Sequence, residues 1–238
     1  MNSEVKMIKD FDDFTAALLA AGFSIGGGND EGIFALIPWS WNEEPPYETP
    51  VRWHTGESET DPWEWRVRVL DERNDIAYGK LFFKKSGYIT REWYPYFLAA
   101  RRGGRSFDEE YQGGTISHMA KRIHELLQTE GTLPVHGMKV LLGIGKEDKS
   151  QFDRALTELQ MRLYITMCGR QQKLSRKGEE YGWSSTVFCL TDEFWEEAVF
   201  TEAAKLSEEA ATEHITARIM ELNPDAQTKK ITKFIKGK

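Results

Sequence analysis

Residues 115–190 constrain the fold most, because three helical patterns are followed there by two strand patterns. In TISHMAKRIHELLQTEG, apolar residues recur every three or four positions, and Gly131 ends the pattern. LPVHGMKVLLGIG predicts a short helix after Pro134, and KSQFDRALTELQM predicts a third helix with Ser150 as its N-cap residue. Short helices depend on tertiary packing, so their apolar residues should share one core with the strands. The expected members of this core are Ile116, Ile123, Leu126, Leu127, Leu133, Val140, Leu141, Phe152, Leu156, Leu159, Ile165 and Phe188.

The two strand patterns, RLYITMCG and SSTVFCL, flank the polar loop RQQKLSRKGEEYGW and predict a hairpin. Three helices followed by a hairpin with a basic tip is the order of a winged helix, whose third helix enters the major groove of DNA. Cys168 and Cys189 are equally far from the turn at Gly178 and Glu179, so simple pairing would set them opposite each other. In a reducing compartment we expect packed thiols here rather than a disulfide.

The predicted fold class is therefore α+β, with a winged-helix domain over residues 113–191. An aromatic-rich N-terminal α/β region precedes it over 1–112, and a C-terminal helical tail follows over 192–238. In the first region, the apolar spacing of residues 8–21 predicts a helix that ends at Gly22. IFALIPW and the alternating EWRVRV predict short strands. The apolar stretch GKLFF fits either a strand or the start of a helix.

The charge distribution favours a local cationic face on an acidic chain. The net charge is −7, but residues 78–178 hold 18 Lys and Arg against 10 Asp and Glu. The flanks are acidic, with 6 against 16 in residues 1–77 and 7 against 12 in 179–238. Because binding follows the local field, a basic middle can meet phosphate even when the whole chain is anionic. The alternative is an ordinary solvated surface of mixed charge.

Other functional classes receive little support from the sequence. The longest apolar runs, FTAALLAAGF and YFLAA, are too short to cross a membrane, and the charged N-terminus has no apolar signal core. The two cysteines and five histidines lack ligand spacing, so no metal site is expected. We expect a cytoplasmic protein without a cofactor.

Two aromatic stretches are candidate binding regions. In WHTGESETDPWEWR, the side chains of Trp53, His54, Trp63 and Trp65 are candidates for a pocket in which a base or small ligand stacks. The favoured alternative is that Trp63 and Trp65 brace a core beneath the turn at DP.

The second stretch, YGKLFFKKSGYITREWYPYFLAARRGGR, places seven basic residues among aromatic ones. This combination suits a phosphate backbone with unstacked bases, and Lys84, Lys85 and Arg91 are the candidate contacts. An apolar element edged by solvated Lys and Arg fits the same pattern equally well.

Three of these stretches resemble a known family. ALTELQMRLYI is similar to the helix-to-strand step of the AlkZ-type winged-helix family, whose founding members are bacterial DNA glycosylases that excise bulky alkylated or crosslinked purines. KLFFKKSGYITREWYPYFLAAR resembles the aromatic segment of that family, and WHTGESETDPWEWR resembles the hallmark of a branch of related proteins. The resemblance to this branch covers most of the chain and implies a DNA-binding winged helix.

The enzyme motif departs from the family pattern at one position. Gln160 matches its first position, but Arg162 stands where Gln or Asp would position the attacking water. Arginine has no acceptor and stays protonated, so it cannot act as a general base. We therefore predict no catalytic residue, and treat Gln160 as a structural residue near the end of the third helix.

Three hypotheses of function remain. The first is a non-catalytic protein that binds double-stranded DNA, the second is a glycosylase-like enzyme that uses Asp153 or Glu158 beside a flipped base, and the third is a protein-interaction module favoured by the acidic flanks. The oligomeric state stays open. Under the first hypothesis, the groove-facing residues are Ser150, Gln151, Arg154 and Glu158, and the wing residues on phosphate are Arg170, Lys173, Arg176 and Lys177.

Overall fold

The computed structural model describes residues 7–38, 45–175 and 177–237. Its helices are α1 (Phe11–Ala21), α2 (Pro62–Glu72), α3 (Tyr94–Arg102), α4 (Phe107–Gln112), α5 (His118–Glu130), α6 (Val135–Leu141), α7 (Lys149–Met161), α8 (Thr191–Phe194), α9 (Glu197–Ala204), α10 (Glu208–Leu222) and α11 (Thr228–Lys236). Its strands are β1 (Phe23–Ile25), β2 (Ile76–Phe82), β3 (Lys85–Thr90), β4 (Leu133–Pro134), β5 (Ile165–Leu174) and β6 (Glu180–Leu190). These strands form one antiparallel sheet in the order β1-β3-β2-β5-β6-β4, which confirms the α+β class.

The N-terminal region contains one helix where a strand was predicted. EWRVRV lies in α2. Asp61 is the N-cap residue of this helix, because its side chain accepts a hydrogen bond from the Trp63 N–H, and Pro62 occupies the first turn. Trp65 and Val69 are both buried and four residues apart, so they lie on one helical face. Over only six residues, the alternation typical of a strand is compatible with this helical spacing, so the sequence pattern wrongly predicted a strand. No strand forms in the described part of IFALIPW, residues 33–38.

The middle of the chain has the predicted order of helices and hairpin. Phe152, Leu156 and Leu159 of α7 are buried in one core with residues of α5, β5 and β6. Two predicted core residues are exposed, however, because the seven-residue α6 turns only one face inward, through Met138, while Val140 and Leu141 face outward. The predicted N-cap was also wrong: Asp148 holds that position, and no side-chain hydrogen bond caps the helix.

The β5–β6 hairpin contains a bulge that shifts the two cysteines out of register. Cys189 pairs with Thr166, and the register shifts between Met167 and Gly169, so Cys168 is the extra residue. Both cysteines are free thiols. A hydrogen bond between the two thiols, together with burial, raises the pKa of Cys189 well above its usual range. The prediction of packed thiols is confirmed, but the predicted opposite pairing is wrong.

The C-terminal helices pack into the N-terminal half instead of extending as a tail. Val199 of α9, Ile215 and Ile219 of α10 and Phe234 of α11 lie in one core with residues of β1, β2 and α3. The ring of Phe234 stacks on that of Phe82 with 3.9 Å between centroids. No described helix combines the length and apolar content that crossing a bilayer requires.

Candidate nucleic-acid interface

The outward face of α7 forms one side of an open groove of about 850 Å³. Six cationic side chains line the groove against two carboxylates, those of Asp153 and Glu158. The cations come from two separate parts of the chain and are Lys80, Lys84, Lys146, Lys149, Arg154 and Arg162. The remaining lining residues are Ser150, Thr157, Met161 and Gly237. The geometry therefore gathers positive charge on a protein whose net charge is −7.

The α7 side of the groove follows from the periodicity of its sequence. Burial of Phe152 and Leu156 on the core side leaves Ser150, Arg154 and Glu158, spaced by four residues, on the opposite face. Leu156 is buried and Gln151 is exposed, as predicted. Gln151 is exposed beside the groove but does not line it.

The opposite side of the groove comes from β2 and the turn that follows it. Lys80 lies on β2, and Lys84 lies in the turn before β3 with a φ of 62°. Phe83 has a φ of 50°, and two successive residues with positive φ are typical of a tight hairpin turn. Phe83 also packs near Phe234 of α11, with 6.2 Å between ring centroids, so the turn that presents Lys84 is supported from behind.

Gln160 joins the two sides of the groove from within the protein. Its Oε1 accepts a hydrogen bond from the Lys80 N–H at 2.9 Å, and its Nε2 donates to the Leu156 carbonyl at 2.9 Å. The residue is 2% exposed, so its amide faces β2 rather than the groove. A Cβ at Gly79 would lie 3.1 Å from Oε1, which explains the small residue there. Gln160 is structural, as predicted.

The side chain of Arg162 connects the end of α7 to α4. Its Nη1 donates to Oε2 of Glu110 at 2.9 Å, and its Nη2 donates to the Thr115 carbonyl at 2.6 Å. Glu110 is 4% exposed, and the same carboxylate oxygen accepts a hydrogen bond from the Tyr164 hydroxyl at 3.1 Å. At the motif position, therefore, the chain has a cation that anchors α4 to the end of α7.

Both carboxylates of the groove are already engaged. The oxygens of Glu158 accept hydrogen bonds from the N–H and the hydroxyl of Ser117, at 3.1 and 2.7 Å. Asp153 lies 3.2 Å from Nζ of Lys149 and 3.5 Å from Nζ of Lys139. Neither carboxylate projects alone toward the groove as a general base would.

The comparison with protein families agrees with the motifs. The model described as AlkZ related matches residues 8–236. The chain belongs to the AlkZ-related family. This confirms the resemblance drawn from the three sequence stretches. No curated protein and no solved structure gives a significant match.

Two cations predicted to bind nucleic acid lie elsewhere in this AlkZ-related protein. Lys85 forms an ion pair with Glu31. Arg91 donates to Glu196 at 2.7 Å and to Glu202 at 3.0 Å, and these carboxylates raise its pKa further. Arg91 thus links the end of β3 to the C-terminal helices, and its contact with phosphate stays a prediction. Of the three cations proposed in that stretch, Lys84 alone lines the groove.

The wing residues lie on the β5–β6 hairpin, away from the groove lining. Lys177 is exposed and Lys173 is half-buried. Arg170 is 3.4 Å from a carboxylate oxygen of Asp71. Arg176 lies outside the described residues. A wing contact to phosphate therefore stays a prediction.

The four residues of the predicted tryptophan pocket divide into two buried and two exposed side chains. Trp53 and Trp65 are buried in the N-terminal core, where Trp65 stacks on Phe14 with 5.1 Å between centroids. Among the four, His54 and Trp63 are exposed, with their rings 4.9 Å apart. The alternative interpretation, that aromatics brace a core beneath the turn, holds for Trp65.

Sequence reasoning missed Lys80, Lys146 and Lys149 as groove residues. For the latter two a signal existed, because KEDK directly precedes and begins the third helical pattern. The signal is partial, because cations at the start of a helix oppose its dipole, whereas Glu147 and Asp148 between them complement it. Lys80 carried no such signal, since its place depends on the pairing of β2 with β5 and α7.

Proposed function

We propose that this AlkZ-related protein binds double-stranded DNA through the groove along α7. The observation that carries the proposal is the excess of six cations over two carboxylates around one groove of an acidic protein. Setting aside Arg162, which Glu110 neutralises, five cations remain. Among the described residues, Lys80, Lys84, Lys146 and Arg154 make no ion pair, so their charges are available to phosphate.

The arrangement of elements supports a winged helix as the binding unit. The chain order is α5, β4, α6, α7, β5 and β6, and β4 pairs with β6 through Leu133↔Phe188. α7 buries one face against α5 and leaves the other face free. In a winged helix this third helix enters the major groove, where Ser150 and Arg154 would meet DNA.

The electrostatics at the start of α7 point to an anion. Lys146 and Lys149 place positive charge at the end of the helix that already carries the positive pole of the dipole, and Glu147 and the N-cap residue Asp148 offset part of it. The Lys149–Asp153 pair offsets part of this repulsion, but both side chains are well exposed and the pair is weak in water. A phosphate at this position would interact favourably with both lysines and with the free N–H groups of the first turn.

The geometry favours binding without base excision. Arg162 replaces the acceptor that the family motif requires, Gln160 is turned into the core, and Glu158 is bonded to Ser117. A glycosylase-like mechanism needs a carboxylate aimed at the flipped base.

The interaction-module hypothesis is weaker for a similar reason. Acidic residues of the C-terminal part are used within the chain, since Glu196 and Glu202 bind Arg91, and Glu208 binds Lys236. Fewer of these carboxylates are therefore left to attract a basic partner.

The test compares two variants that each lose two positive charges. Lys149→Ala/Arg154→Ala removes cations from the groove, whereas Lys9→Ala/Lys205→Ala removes exposed cations elsewhere. Affinity for a labelled duplex is measured by fluorescence anisotropy over a salt series. In the groove variant alone, the slope of log affinity against log salt should flatten by roughly 0.9 for each phosphate that is no longer neutralised. Equal slopes for the two variants, or no duplex binding by the wild type, would overturn the proposal.

A further inference from the structure

The distal part of the β5–β6 hairpin is a ribbon with no strand neighbour among the described residues. Its two strands pair from Ile165↔Leu190 to Leu174↔Glu180. β2 meets β5 only at Met167, and β4 meets β6 only at Val187 and Phe188. We call residues 169–175 and 177–186 the free ribbon. It therefore extends past the sheet, and both of its faces are open to solvent over most of its length.

The free ribbon carries large apolar side chains in the open. Trp183 is 90% exposed, and Tyr181 and Leu174 are also exposed. Among the described residues, Trp183 makes no ring or cation contact. Trp63 differs, because it is 43% exposed and the guanidinium of Arg66 lies 3.4 Å above its ring. The fold thus gains almost nothing from the indole of Trp183, which is costly to leave in water.

Local backbone structure fixes the position of the two aromatic residues. Gly182 has a φ of 64°, a conformation that favours glycine. The side chain of Gln172 on the facing strand donates to the Gly182 carbonyl at 2.9 Å. A register shift between Gln171 and Lys173 accompanies this contact. Tyr181 and Trp183 are therefore held on either side of a defined kink.

The charge of the same segment indicates what covers the aromatics. Residues 170–183 contain four Lys and Arg against two Asp and Glu, on a chain of net charge −7. Cations on one strand of a hairpin and exposed aromatic rings on the other, as in the pair Lys173↔Tyr181, match a nucleic acid whose bases are unpaired, since every base has a face that can stack. An apolar protein surface or an uncharged lipid would leave the basic residues without a role.

We propose that Trp183 and Tyr181 stack on unpaired bases of the nucleic acid, beside the duplex held in the groove of α7. This inference rests on the proposed function, because the groove provides the main attachment to DNA. It adds a preference for duplexes with a locally opened site.

The experiment measures the full chain on two DNA probes. One is a fully paired duplex with 2-aminopurine at its centre, and the other has the same sequence with a two-nucleotide bubble at that position. The wild type should bind the bubble at least several-fold more tightly and quench 2-aminopurine on binding, as expected for base–aromatic stacking. Trp183→Ala should lose the preference and most of the quenching, whereas Trp183→Phe should keep most of both. Tyr47→Ala, which removes an exposed aromatic ring outside the ribbon and the groove, is the control and should match the wild type.

The outcomes separate this inference from the proposed function. Lys149→Ala/Arg154→Ala should weaken binding to both probes equally and leave the ratio of their affinities unchanged. If that variant binds the duplex normally, the groove does not bind DNA as proposed. The ratio of the affinities for bubble and duplex still tests the stacking role of the ribbon. A wild type without bubble preference, or a preference that survives Trp183→Ala, overturns the inference. Self-association that disappears in Trp183→Ala without any change in DNA binding overturns the inference too. It would show that a second copy of the chain covers the aromatic residues of the free ribbon.

Discussion

The side-chain oxygen of Gln160 accepts a hydrogen bond from the backbone N–H of Lys80 at 2.9 Å, across 80 positions of sequence. This contact holds the end of α7 against β2, and these two elements contribute opposite sides of the cationic groove. Gln160→Ala leaves a buried N–H without a partner, so we expect a loss of about 1–3 kcal/mol in the free energy of unfolding, measured in urea. Gln151→Ala, at an exposed site on the same helix, should cost under about 0.5 kcal/mol. Equal losses would contradict the structural role of Gln160.

The protein should release no base from alkylated DNA. Arg162 has no acceptor for the proton of water, and its guanidinium is bound to Glu110 and the Thr115 carbonyl. Arg162→Gln, which restores the family residue, should not give activity either, because Gln160 still faces the core. The assay measures free base by chromatography, with a glycosylase active on the same DNA as its control. Release that Asp153→Ala or Glu158→Ala abolishes would refute the prediction.

Leu156→Ala should cost about 2–5 kcal/mol, because it leaves a cavity in the core shared by α5, α7 and the hairpin. Val140→Ala is its control, since this side chain is 79% exposed and its removal should change stability by less than about 0.5 kcal/mol. Chemical unfolding followed by circular dichroism measures both. A small loss for Leu156→Ala would mean that α7 packs with another face inward, and the groove would then be misplaced.

A comparison of α7 with α6 shows which parts of the structure the sequence was able to predict. α7 has thirteen residues, and its apolar period leaves a single consistent inward face, so the burial of Leu156 and the exposure of Gln151 follow from spacing alone. α6 has seven residues, too few for the period to separate Val140 from Met138. The second side of the groove depends on contacts between β2 and α7, which are distant in sequence. No local pattern placed Lys80 opposite Arg154.

Stability should fall on acidification because of His124. Its ring stacks on Phe107 at 3.7 Å between centroids, and burial lowers the pKa of the imidazole below its usual value. The unfolded chain binds a proton more readily, so stability is lost as pH falls from the ordinary histidine range through the lowered pKa. Urea midpoints measured between pH 7.5 and 5 should fall less steeply for His124→Phe, which keeps the stacked ring and removes the titrating group. Parallel curves would show that His124 does not contribute.

The four predicted wing residues should contribute unequally to the salt dependence of DNA binding. Replacing Arg170, Lys173, Arg176 and Lys177 together with Ala should flatten the dependence of log affinity on log salt by roughly 0.9 for each phosphate that the wing neutralises. Arg170 lies 3.4 Å from Asp71, so its charge is partly offset, and Arg170→Ala alone should change the slope least. Lys177→Ala should change it more, because this side chain is exposed and makes no ion pair within the described residues. Lys9→Ala/Lys205→Ala again controls for net charge. A slope that the fourfold variant leaves unchanged would remove the wing from the DNA-binding surface, and the groove of α7 would then hold DNA alone.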